Sequence, residues 1–98
     1  MIDAALQYLG IKHEYEPRLQ INGQTIYPDF DLGNGIYLEY WGLKTKAYLQ
    51  RRKKKMKLYK AKKLKVINIE NEDLKGILAT LRNKLRKFPQ FQDKFTKY

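Results

Sequence analysis

Tyr27-Pro28-Asp29-Phe30-Asp31-Leu32-Gly33-Asn34-Gly35-Ile36-Tyr37-Leu38-Glu39-Tyr40-Trp41-Gly42 is the stretch on which the architecture turns. Its centre, residues 31–35, carries two glycines and an asparagine and reads as a tight turn. The runs on either side, residues 24–30 and Ile36–Trp41, read as antiparallel strands, and Gly42 ends the second. Upstream, Asn22-Gly23 is a strong hairpin signal, because a type I′ turn needs positive φ at both central residues. It joins residues 24–30 to an earlier strand over residues 14–21, where Pro17 restricts pairing to an edge. Three strands joined by tight turns form an antiparallel meander. Ahead of it, Ile2, Ala5, Leu6 and Leu9 recur at helical spacing, and Gly10 stops that helix.

Downstream, residues 45–63 hold no Gly or Pro and are rich in Lys, Leu and Ala, so they form a second helix. Residues 64–69 are a short apolar run, as expected for a strand covered on both faces. The intervening helix is long enough for a crossover, which sets this fourth strand parallel to a neighbour. Asn71 caps a final helix, with Glu72 and Asp73 in its first turn and an apolar stripe of Leu74, Ile77, Leu78, Leu81 and Leu85. Phe88-Pro89 ends the regular pattern, and residues 89–98 read as a loose tail. The expected fold is therefore α/β, one domain over residues 1–98, with a mixed four-stranded sheet flanked by helices.

The 98 residues suit a single domain, and 43% hydrophobic content supports a modest core. A chain of this size leaves much apolar surface wet, which a homodimer would relieve. Cysteine is absent, so disulfides and thiolate-zinc sites are excluded. His13 is the single histidine and cannot build a multi-histidine centre. It reads as a strand-edge residue. No run approaches a membrane span or a signal sequence, so an intracellular, cytoplasmic protein is expected. Any resident metal must be a hard cation held by oxygen.

Net charge is +11, and its distribution matters more than its sum. Residues 44 to 65 contain twelve Lys or Arg and no acid. A stripe that dense suits a polyanion, with nucleic acid favoured over an anionic membrane surface or a merely solvated face. Arg51, Lys53, Lys54, Lys57 and Lys60 are the expected phosphate contacts. Eight tyrosines also invite base stacking, although Tyr48 and Tyr59 read as core and Tyr98 as tail.

Only ten acids oppose this charge, and two of them fall at suggestive places. Folding back through residues 31–35 brings Asp29 to within one or two positions of Glu39 on the neighbouring strand. Two close carboxylates repel one another unless a cation lies between them, and Mg²⁺ or Mn²⁺ is the natural choice. The plainer reading is a pair of surface acids matched to nearby lysines.

Residues 27–30 and 37–42, with the αβββαβ order around them, resemble the core of the PD-(D/E)XK nuclease superfamily. The version they most resemble is the small nuclease-like domain associated with superfamily-1 DNA helicases. The resemblance spans nearly the whole chain and implies a restriction-endonuclease-like core with a C-terminal helix. It implies metal-dependent hydrolysis of DNA phosphodiester bonds, with RNA left open, by a Mg²⁺-dependent deoxyribonuclease of little sequence specificity. Asp29 matches the motif's aspartate and Glu39 its second acid. Asp3, on the first helix, matches a further upstream metal-binding acid, and equally suits a helix cap.

One position departs from the motif: its lysine should stand two residues after the glutamate, where this chain has Trp41. Trp41 alone reads as core packing. On the second helix, Tyr48, Leu49, Met56, Leu58 and Tyr59 mark the face toward the sheet. Arg52 and Lys55 fall on that same buried side, where a charge is costly unless paired. Either could replace the missing lysine as a catalytic cation, Lys55 ahead of Arg52, or both could form structural ion pairs. The alternatives to a nuclease are an inactive nucleic-acid-binding module of the same fold and an interaction domain for an acidic protein.

Overall fold

The computed structural model describes residues 1–95. Helix α1 (Ile2–Tyr8) leads into four short strands, β1 (Glu14–Tyr15), β2 (Leu19–Ile21), β3 (Gln24–Ile26) and β4 (Phe30–Asp31). Strand β5 (Ile36–Trp41), helix α2 (Lys46–Ala61) and strand β6 (Lys65–Glu70) follow. A 3-10 turn (Asn71–Gly76), α3 (Ile77–Leu85) and α4 (Pro89–Phe95) complete the described residues.

The two expected early strands are each broken in the middle. Leu19 pairs with Ile26 in a separate two-stranded sheet, and Tyr15 pairs with Phe30 in the main one. Both pairs belong to one antiparallel register, and extending it sets Pro17 opposite Pro28. Neither proline has an N–H to give the ladder, so the hairpin parts there into two pieces. At its tip Asn22 and Gly23 take φ values of 51° and 78°, as a type I′ turn requires.

The main sheet runs β1-β4-β5-β6. The first three strands are antiparallel, and β6 lies parallel to β5 after the α2 crossover, with Leu38 beside Ile67 and Trp41 beside Glu70. This is a single-domain α/β fold with a mixed four-stranded sheet and four α-helices among the described residues. Strand β5 is covered on both sides, which suits its near-continuous apolar sequence. Its Ile36 and Leu38 join Ile67 and Ile69 in a core completed by Leu6, Leu81 and Leu85. Tyr37, Glu39 and Trp41 alternate to the opposite face, under α2.

Three local expectations are corrected. The cap of the 3-10 turn is Glu70 and not Asn71: Glu70 and Asp73 each accept the other's backbone N–H in a capping box. Asn71 is drawn aside by Tyr40 Oη and by the Gly42 carbonyl. Residues 89–95 are not a loose tail, because Pro89 opens α4 and Phe91 is buried in the core. Proline suits a first helical position, where no N–H is needed. The rest of the expected tail, including Tyr98, lies outside the described residues. Leu49 is not buried against the sheet; it is 41% exposed.

Candidate active site

The β4–β5 register sets Phe30 opposite Leu38 and Asp31 opposite Tyr37. One step further along, Asp29 stands against Glu39, and two crossed bonds lock them. The Asp29 N–H donates to Glu39 Oε1 at 3.1 Å, and the Tyr40 N–H donates to Asp29 Oδ2 at 2.7 Å. Each carboxylate thus accepts a backbone N–H from the neighbouring strand segment. Both line a cavity of about 460 Å³ walled by Tyr27, Trp41, Tyr48, Arg51 and Lys55.

Glu39 lies at the floor, 1% exposed. Its Oε2 accepts the Tyr59 hydroxyl at 2.6 Å and meets Lys55 Nζ at 2.6 Å. A buried carboxylate without such partners would be strongly disfavoured. Burial pushes the Glu39 pKa up, Lys55 and Tyr59 pull against that, and Asp29 adds repulsion; the net shift is upward. Burial and the adjacent Glu39 carboxylate hold Tyr59 far above the ordinary tyrosine range, so its hydroxyl remains a donor.

The two basic residues on the inner side of α2 take different partners. Lys55 reaches Glu39 and also donates to the Tyr27 carbonyl at 3.1 Å. Arg52 forks onto Glu70, with 3.1 Å and 2.8 Å bonds, and holds the Glu70 pKa below the usual carboxylate value. Trp41, on the same strand face as Glu39, underlies both cations: Arg52 Cζ is 4.7 Å and Lys55 Nζ 5.8 Å from its ring centroid. Its indole N–H donates to Asn68 Oδ1 at 2.7 Å.

Asp3 does not join the acidic pair. It bonds His13, and no group of three or more His, Asp or Glu gathers among the described residues. Asp29 and Glu39 bring two hard-oxygen donors to one cavity, and a divalent cation held there would keep several waters.

The expected phosphate contacts, Arg51, Lys53, Lys54, Lys57 and Lys60, are all exposed, but they divide between the flanks of α2. Arg51 borders the acidic cavity. Lys53, Lys57 and Lys60 border a larger hollow of about 910 Å³ on the β6 side, floored by Leu49, Met56, Leu64 and Val66. No acid lines that hollow, which shares Arg52 with the acidic cavity and is also bordered by Tyr59. Sequence reading passed over three residues at the acidic site. Tyr59 stands one helical turn after Lys55 and could have been found from that spacing. Tyr48 is half-buried at the cavity wall and not in the core, and no periodic signal marks Tyr27. Comparisons with family models, curated proteins and solved structures found no match.

Proposed function

We propose that this chain is a metal-dependent deoxyribonuclease with a restriction-endonuclease-like core of the PD-(D/E)XK type. It would hydrolyse DNA phosphodiester bonds with little sequence preference. The observation that carries the reading is the locked Asp29–Glu39 pair, lining one cavity beneath a strongly basic helix. In a chain of net charge +11, a buried acid set beside a half-buried one needs a reason, and holding a hard cation supplies one.

Asp29 and Glu39 would hold Mg²⁺ or Mn²⁺, which when bound acidifies a water and neutralises charge on the phosphate. Tyr59 keeps Glu39 oriented. Lys55 is the chain's substitute for the lysine displaced by Trp41. As the scissile phosphate enters, its ammonium can transfer from Glu39 to a phosphoryl oxygen or to the attacking water. Arg51 and the outer lysines of α2 grip the backbone, which gives affinity without reading bases.

One observation favours a second reading, an inactive nucleic-acid-binding module. Lys55 and Tyr59 already satisfy Glu39, so the buried charge is compensated without a metal. Incubating labelled single-stranded, duplex and branched DNA with the protein, with Mg²⁺, Mn²⁺ or EDTA, separates the two. Metal-dependent product supports the nuclease; salt-sensitive binding without product selects the module.

A further inference from the structure

Tyr27 is 54% exposed and lies on the rim of the cavity that holds Asp29 and Glu39. A single exposed aromatic is common on protein surfaces and by itself signifies little. Here its backbone is fixed from both sides: the Tyr27 carbonyl accepts Lys55 Nζ, and the fully buried Pro28 follows it. In the same lining the Tyr48 ring stands edge-on to Trp41 at 6.2 Å and carries the Arg51 guanidinium 5.9 Å from its centroid. The acidic floor is therefore flanked by one anchored, solvent-facing ring and one ring that bears a cation.

This arrangement selects among DNA structures. In a duplex each base is stacked between its neighbours and offers no face to a side chain. An unpaired base does, and every base has one, so stacking needs no particular sequence. The depth of the floor acts in the same direction. With Glu39 1% exposed inside a cavity of about 460 Å³, a lone strand can enter where a rigid double helix is held at the rim.

We infer that the preferred ligand is an unpaired DNA strand, with one base stacked on Tyr27 and an adjoining phosphate held by Arg51 and Lys55 over the Asp29–Glu39 floor. The inference rests on the nuclease reading for the identity of the polyanion. It goes beyond that reading in naming the strand state and the residue that selects it.

The test measures binding by fluorescence anisotropy in EDTA at one fixed salt concentration. The probes are a labelled thymidine oligomer and a labelled hairpin duplex of matched length. Wild type should bind the oligomer more tightly than the duplex. Tyr27→Ala should weaken oligomer binding about tenfold, the loss of one stacked base at ~1.4 kcal/mol, and change duplex binding less than twofold. Tyr27→Phe keeps the ring and should retain wild-type affinity. Tyr8→Ala, at a tyrosine of α1 that is 73% exposed, should have no effect. Melting curves for each variant verify folding, and retention by Tyr27→Phe excludes a general disturbance of the loop. Equal losses on both probes, or an unchanged oligomer affinity in Tyr27→Ala, would overturn the inference. If the Tyr27-dependent preference holds but Mg²⁺ yields no product, the inference stands and the nuclease reading fails. If duplex is cut as fast by Tyr27→Ala as by wild type and no strand preference appears, the inference fails and the nuclease reading stands.

Discussion

On one face of the main sheet, Leu38, Ile67 and Ile69 pack against Leu6, Leu81 and Leu85, every one of them 4% exposed or less. On the other face, Glu39, Asn68 and Glu70 from the same two strands meet Tyr59, Trp41, Arg52 and Lys55. The first face is held by apolar burial, which is non-directional and tolerates substitutions that conserve volume. The second works only if each polar group finds its own partner, since an unpaired buried charge costs several kcal/mol. A small domain with limited apolar surface gains little stability from a polar layer. Its place beneath the most basic helix is the ground on which the nuclease proposal stands.

The difference between the faces can be broken by paired substitutions. Leu81→Ala should lower unfolding free energy by ~2–5 kcal/mol in a urea titration, and the folded fraction should still cut DNA. Glu39→Ala should cost a similar ~3–5 kcal/mol, because it strands Lys55 and Tyr59, and should also abolish cleavage per folded molecule. If Glu39→Ala leaves cleavage of the folded protein intact, the polar face is only another way of filling space.

Within the polar face, Lys55 and Arg52 sharpen the contrast. Lys55 meets a buried carboxylate inside the cavity, whereas Arg52 clamps the half-exposed Glu70 at the sheet edge. Lys55→Met should slow single-turnover cleavage by about a hundredfold, the scale of losing one preorganised electrostatic group. Arg52→Met should cost ~1 kcal/mol of stability with a much smaller effect on rate. Lys57→Met, on the outer face, should weaken binding slightly and leave the chemical step intact. Equal rates for the Lys55 and Lys57 variants would reduce Lys55 to one more phosphate contact.

Much of this layout was legible in the sequence. The strand run Ile36–Trp41 behind the turn at residues 31–35, the Asn22-Gly23 turn and the acid-free basic helix set the order of elements and put Asp29 near Glu39. That Lys55 and Arg52 would lie inward followed from helical periodicity. Which acid each would meet did not follow, because Glu70 comes to Arg52 only through the parallel β5–β6 register. The split hairpin was also hidden, since it depends on Pro17 and Pro28 falling opposite each other across a register that neither reveals alone. Asp3 was misjudged as a metal-ligand candidate, because the pull of His13 depends on how the chain returns after α1.

That His13–Asp3 contact gives the smallest expected effect, and it lies outside both faces. The two ring nitrogens face acceptors, the Ile11 carbonyl and the Asp3 carboxylate, so the doubly protonated ring satisfies both. Burial acts to lower the His13 pKa, but those two partners outweigh it and raise it above 6.5. A raised folded-state value means the contribution is fully present below about pH 6.5 and fades as pH rises through the folded value. With Asp3 57% exposed, the stability gap between wild type and His13→Gln should stay under ~1 kcal/mol. It should be largest at pH 6 and shrink by pH 9. A gap that grows with pH would show that the ring is held neutral.

The central claim is that Asp29 and Glu39 act together on a phosphodiester, and Asp29→Asn tests it with least disturbance to the fold. Asparagine keeps the oxygen that accepts the Tyr40 N–H and removes the charge. The measurement is single-turnover cleavage of labelled DNA in Mn²⁺, with wild type and Asp29→Asn purified identically and EDTA controls for each. Metal-dependent product from wild type, falling at least a hundredfold in Asp29→Asn while DNA binding persists, is the predicted result. Equal cleavage by the two proteins, or none by wild type with any labelled DNA, would contradict it.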